Sequence, residues 1–111
     1  VLGDFSDRLR GEDHSEHIEM ADKWDGGVML IQPEDASLKP KEIPVDVFFH
    51  KVIMTRNRLR VLEAKLNAHE TLSVSDKIEL QQYITKIYGS LTTFNVLFKY
   101  KEDSFVGEKK G

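Results

Sequence analysis

The chain has 111 residues, with 16 Lys and Arg against 19 Asp and Glu, 40% hydrophobic residues and no cysteine. That is material for one domain and too little for two. The lack of cysteine removes a disulfide framework, a thiolate zinc site, an iron–sulfur cluster and a cysteine nucleophile. No apolar run nears the ~20 residues of a membrane span, and no basic-then-apolar leader opens the sequence. A soluble, cytoplasmic protein is the expectation.

The formal charge of −3 is unevenly spread: residues 1–44 carry −6 and residues 45–111 carry +3. The acidic front reads as an arm over 1–43, partly irregular. A short helix over about Ser15–Trp24 is its first expected element, with Ile18, Met20, Ala21 and Trp24 on one side. Asp25-Gly26-Gly27 is a turn signal. Val28-Met29-Leu30-Ile31-Gln32 is rich in strand formers and too short for a stable helix, so it reads as a lone strand or extended segment. Pro33 to Pro44 reads as linker.

A helical hairpin domain is expected over 44–111. Pro44 suits the first turn of a helix and Asp46 favours the positive end of its dipole. Val45, Phe48, Val52, Leu59, Leu62 and Leu66 recur at steps of three, four and seven, predicting helix A over about 44–68. Ser73 and Asp76 form a short-armed capping signal. Leu80, Ile84, Ile87, Leu91, Phe94 and Phe98 then alternate at four and three, predicting helix B over about 74–101, with Gly89-Ser90 as a weak point and a charged tail beyond. The fold expected is all-α: an antiparallel hairpin that dimerises into a four-helix bundle, those twelve side chains forming the seam.

More apolar surface remains than one seam needs, and exposed apolar patches invite association. Phe49, Ile53, Tyr83 and Tyr88 lie outside the seam, together with a basic row of Lys51, Arg58 and Lys65 flanked by Arg56 and Arg60. These nine side chains read as a partner-binding surface. The function expected is a non-catalytic interaction and assembly module, a self-associating hairpin that presents aromatic and basic residues to a partner such as an acidic protein. The alternative is a small nucleic-acid-binding or regulatory protein contacting phosphates through Lys51, Arg56, Arg58, Arg60 and Lys65.

Catalytic signals are missing. Glu63 and Glu79 are followed three residues later by Leu66 and Gln82, so no Glu-x-x-His pair suits a di-iron bundle. No Gly-x-Ser-x-Gly elbow and no phosphate-cradling loop occurs. His14 and His17, with Asp13, could converge on one edge of a helix as metal ligands. A solvated acidic stretch explains them as well, so no metal, cofactor or catalytic residue is assigned.

Overall fold

A computed structural model describes residues 18–107. His14 and His17, the rest of residues 1–17 of the acidic arm, and the charged tail after Gly107 lie outside the described residues.

The fold is mixed, which corrects the all-α expectation. Two strands, β1 (Val28–Ile31) and β2 (Lys41–Pro44), precede two helices, α1 (Val45–Asn67) and α2 (Val74–Ser90). The strands pair antiparallel, with Val28 opposite Pro44 and Ile31 opposite Lys41. The second strand was hidden because Lys41-Glu42-Ile43-Pro44 carries two charges and a proline, a composition that reads as linker. It pairs only because β1 lies beside it. Gly26 takes a positive φ of 74° at the turn before β1, where glycine carries no Cβ penalty.

Pro44 serves both elements. It closes β2, where its missing N–H removes no ladder bond, and it precedes the first residue of α1 with φ −56° and ψ 136°, the extended geometry of a helix cap. The α1 bounds are within a residue of the predicted helix A. At the start of α2 the Ser73 hydroxyl accepts from the Asp76 N–H at 3.0 Å, as the capping signal implies.

Helix B is much shorter than its apolar spacing predicts. It stops at Ser90, and residues Thr92–Leu97 continue as a 3-10 helix before the chain turns extended at Phe98. Gly89, Ser90, Thr92 and Thr93 are all poor helix formers, and the Thr92 hydroxyl takes the Gly89 carbonyl at 2.9 Å, where a further turn of helix would need it. Leu91 and Phe94 therefore belong to the turn beyond α2, and Phe98 to an extended segment.

Ends of the described chain meet at this break. Met20 forms an antiparallel bridge with Phe98, flanked by Ala21 N–H to Leu97 carbonyl at 2.8 Å and Lys99 N–H to Glu19 carbonyl at 2.9 Å. The Trp24 indole donates to the Val96 carbonyl at 2.8 Å. Lys99 reaches Glu19 at 3.6 Å and Asp22 at 4.0 Å, and those carboxylates, Asp22 foremost, hold its ammonium above the usual range. Ile18, Val45, Phe49, Val52, Ile53, Leu66, Ile84, Tyr88, Leu97, Phe98 and Phe105 form one buried cluster, with Met20, Trp24 and Met29 packed against it. Residues before Pro44 thus share a core with the hairpin.

Candidate interaction surface

The buried stripe of α1 is Val45, Phe49, Val52, Ile53, Arg56, Asn57 and Leu66. Between Val45 and Asn57 this stripe is turned from the predicted seam by about one position, or ~100° of helix. The cause is the chain beyond α2, which passes over that side. Phe49 packs edge-on against Phe98 with ring centres 5.4 Å apart, and Phe98 in turn against Phe105 at 5.7 Å.

Four residues expected to meet a partner are therefore core. Phe49, Ile53, Arg56 and Tyr88 are all buried. Arg56 donates through Nε to the Asp103 carbonyl at 2.6 Å and through a terminal nitrogen to the Asn57 amide oxygen at 2.7 Å, with the Asp103 carboxylate 4.0 Å away. A buried guanidinium needs such partners. Here they clamp residues 101–105 onto α1. Asn95 completes the clamp, giving and taking hydrogen bonds with the Phe105 backbone at 2.9 and 2.7 Å. The strap ends where Gly107 lies on Gly89, so close that a Cβ on Gly107 would sit 2.5 Å from the Gly89 Cα.

A polar interlock joins the two helices beneath the strap. Glu63 accepts from the Gln81 amide at 2.6 Å and from the Tyr88 hydroxyl at 3.3 Å. Burial, followed by the charge of Glu63, pushes the Tyr88 hydroxyl up to about 12. Arg56, Arg60, Glu63 and Tyr88 with Ser104–Val106 line a cleft of about 330 Å³ here.

The interlock fixes what lies on the other side. Leu62, Leu80 and Ile87 each immediately precede one of its members. On antiparallel helices a one-residue step toward each N-terminus turns side chains to the same side of the pair, so the three share a face. Tyr83 joins them, three residues after Leu80 and four before Ile87. These four residues are between 41% and 60% exposed. Three of the twelve seam residues, Leu62, Leu80 and Ile87, are thus on an open face, while Phe48, Leu59, Leu91 and Phe94 are half-buried. Phe48 and Phe94 meet edge-on at 5.3 Å. Val45, Val52, Leu66, Ile84 and Phe98 are buried within the chain.

Basic side chains rim the open face along α1, while on α2 the exposed Asp76 and Glu79 stand four residues before Leu80 and Tyr83. Arg58 stands four residues before Leu62 and Lys65 three after it, with Lys51 a heptad before Arg58. All three are exposed. On the α2 side the Lys86 ammonium lies 5.2 Å from the Tyr83 ring centre. Arg60 is exposed on the cleft side, and Arg56 is withdrawn into the clamp. The basic row thus divides into an open-face row of three and a covered-side pair. Heptad spacing locates the first set, but nothing local in the sequence separates Arg56 from Arg58. Its partner Asp103 is 47 residues away.

Among the described residues no helix is long and apolar enough to cross a membrane, and no group of three or more His, Cys, Asp or Glu could hold a metal ion. The pattern of one family, described as Domain of unknown function (DUF8685), matches residues 14–104, and the chain belongs to that family. No curated protein and no solved structure matches it.

Proposed function

We propose that this member of the family is a non-catalytic, cytoplasmic interaction module whose open hairpin face receives an acidic amphipathic helix of a partner protein. One observation carries the reading: an apolar strip of Leu62, Leu80, Tyr83 and Ile87 is rimmed along α1 by Lys51, Arg58 and Lys65. Recognition of an amphipathic helix by such an apolar strip uses anchors at i, i+3, i+4 and i+7, and a basic border along α1 selects acidic flanks and speeds encounter. The apolar strip favours a protein helix over nucleic acid, which phosphate contacts alone would hold.

The test is a titration of the full chain, followed by amide NMR shifts, with a synthetic helix bearing leucine at those spacings and glutamate elsewhere. Shifts are expected around Leu62, Leu80, Tyr83 and Ile87, with affinity falling several-fold in Arg58→Glu and as salt is raised. Shifts confined to another surface, equal binding of a lysine-flanked helix, or an unaffected Arg58→Glu would overturn the reading. Steeply salt-dependent binding of duplex DNA or RNA along Lys51, Arg58 and Lys65 would replace it with the phosphate alternative.

A further inference from the structure

Among the described residues the two-stranded sheet has one guarded edge and one bare edge. Its hydrogen-bond phase follows from the Val45 N–H, which donates to the Gly27 carbonyl at 3.0 Å. Gly27, Met29 and Ile31 therefore turn their backbone groups toward β2, while Val28 and Leu30 turn theirs away from it. Pro44 opposite Val28 agrees with this phase, since it has no N–H to give. The same phase turns the backbone groups of Glu42 and Pro44 outward on β2, so that edge lacks one donor and its strand carries a charged residue. Both are devices that discourage strand pairing.

Nothing of the kind protects β1. Val28-Met29-Leu30-Ile31 has no charge and no proline, and among the described residues it pairs only with β2. Met29 packs against the core. Val28 and Leu30 project from the opposite face of the strand and are 56% and 55% exposed. An edge strand with unpaired backbone groups and apolar side chains is a template for another strand.

We propose that β1 pairs with β1 of a second copy, antiparallel about a twofold axis at Met29, extending the sheet to the four-stranded order β2-β1-β1-β2. The occupant follows from self-complementarity. In this register Val28 of each copy faces Leu30 of the other, and these are the residues whose backbone groups point outward. Two apolar side chains then meet across the strands, and no like charges are opposed along β1. A heterologous strand carrying charge would gain the same backbone bonds and lose the side-chain match. Four residues per copy make a small contact, in the class of weak and transient interfaces. Association is expected at roughly tens to hundreds of micromolar. This surface is separate from the open face of the hairpin, so either assignment can fail alone.

The test is light scattering with size exclusion on the full chain up to about 500 µM, with far-ultraviolet dichroism to confirm folding. The native chain is expected to dimerise. Val28→Lys with Leu30→Lys places lysine opposite lysine across the axis, and a folded monomer is expected. Val28→Glu with Leu30→Lys instead sets the introduced carboxylate of one copy opposite the introduced ammonium of the other, and the dimer is expected to return. Leu30→Pro removes an outward N–H without touching the β1–β2 ladder and is expected to weaken association at least several-fold. A native chain that stays monomeric at about 500 µM overturns the proposal, as does a dimer indifferent to the double-lysine change. Failure of the opposite-charge double variant to restore the dimer overturns the Met29-centred register.

Discussion

The two sides of the helical hairpin use the same residue types to opposite ends. On the covered side, Phe49, Ile53, Arg56 and Tyr88 are buried, and a strap over residues 101–107 has its backbone held by Arg56 and Asn95. On the open side, Leu62, Leu80, Tyr83 and Ile87 repeat with equal regularity and face water. An amphipathic period therefore marks what is to be buried but does not say by what. The strap decides, and it is recruited by polar contacts between residues far apart in sequence.

Side-chain truncation should separate the two sides most sharply. Phe105 is 4% exposed and wedged between the rings of Tyr88 and Phe98. Phe105→Ala is expected to cost roughly 3–5 kcal/mol, as large-to-small changes in packed cores do. Leu62→Ala, on the open side, is expected to cost less than about 1 kcal/mol. Urea titrations of the two variants measure the contrast. Equal costs would mean that the open face is covered in the free protein.

The local elements were legible in the sequence while the contrast between the two sides was not, and the missing part has a physical pattern. The helix starts at Val45 and Val74, the Gly26 turn and the strand tendency of Val28–Ile31 are local, each set by residues within a few positions. So is the weakness at Gly89-Ser90, although the heptad-like spacing of Leu91, Phe94 and Phe98 argued for helix through it. The invisible features are tertiary. Lys41–Pro44 becomes a strand only beside β1, and Arg56 becomes a core residue only beneath Asp103. Spacing therefore placed Leu62, Leu80 and Ile87 in a seam and Phe49, Ile53 and Tyr88 on a surface, the reverse of where they lie.

The close of the strap gives a smaller effect. A Cβ on Gly107 would lie 2.5 Å from the Gly89 Cα and 3.0 Å from its nitrogen, both backbone atoms that cannot turn aside. Gly107→Ala must lift the strap end, at a cost of about 1–3 kcal/mol typical of overpacking. A Cβ on Gly89 meets only the Gly107 Cα, at 3.8 Å, so Gly89→Ala is expected to be neutral or mildly stabilising through helix propensity. Amide exchange is the suitable measurement: Gly107→Ala should speed exchange at Phe105 and leave Leu62 and Leu80 unchanged. Faster exchange on both sides would mean that strap and open face are not independent.

The smallest expected effect comes from a single proton at the border between the sides. Tyr88 ionises at about 12 in the folded chain against an ordinary value of 10.0, first because it is buried and second because Glu63 faces it. The folded state thus retains a proton that the unfolded state releases. Stability from this group is fully present below about pH 10 and is lost as the pH rises from about 10 to about 12. The loss is expected to be on the order of 1 kcal/mol, smaller than the full shift implies because the hydroxyl borders an open cleft where water screens Glu63. Tyr88→Phe removes both the titration and a long, 3.3 Å hydrogen bond, so it should cost little at about pH 9. Between about pH 10 and pH 12 its urea midpoint should fall less steeply than that of the native chain. Other groups titrate in both proteins, so the difference between the two slopes isolates Tyr88. Parallel slopes would place the hydroxyl in water and the strap off the interlock, erasing the distinction between a sealed side and an open one at the point where they meet.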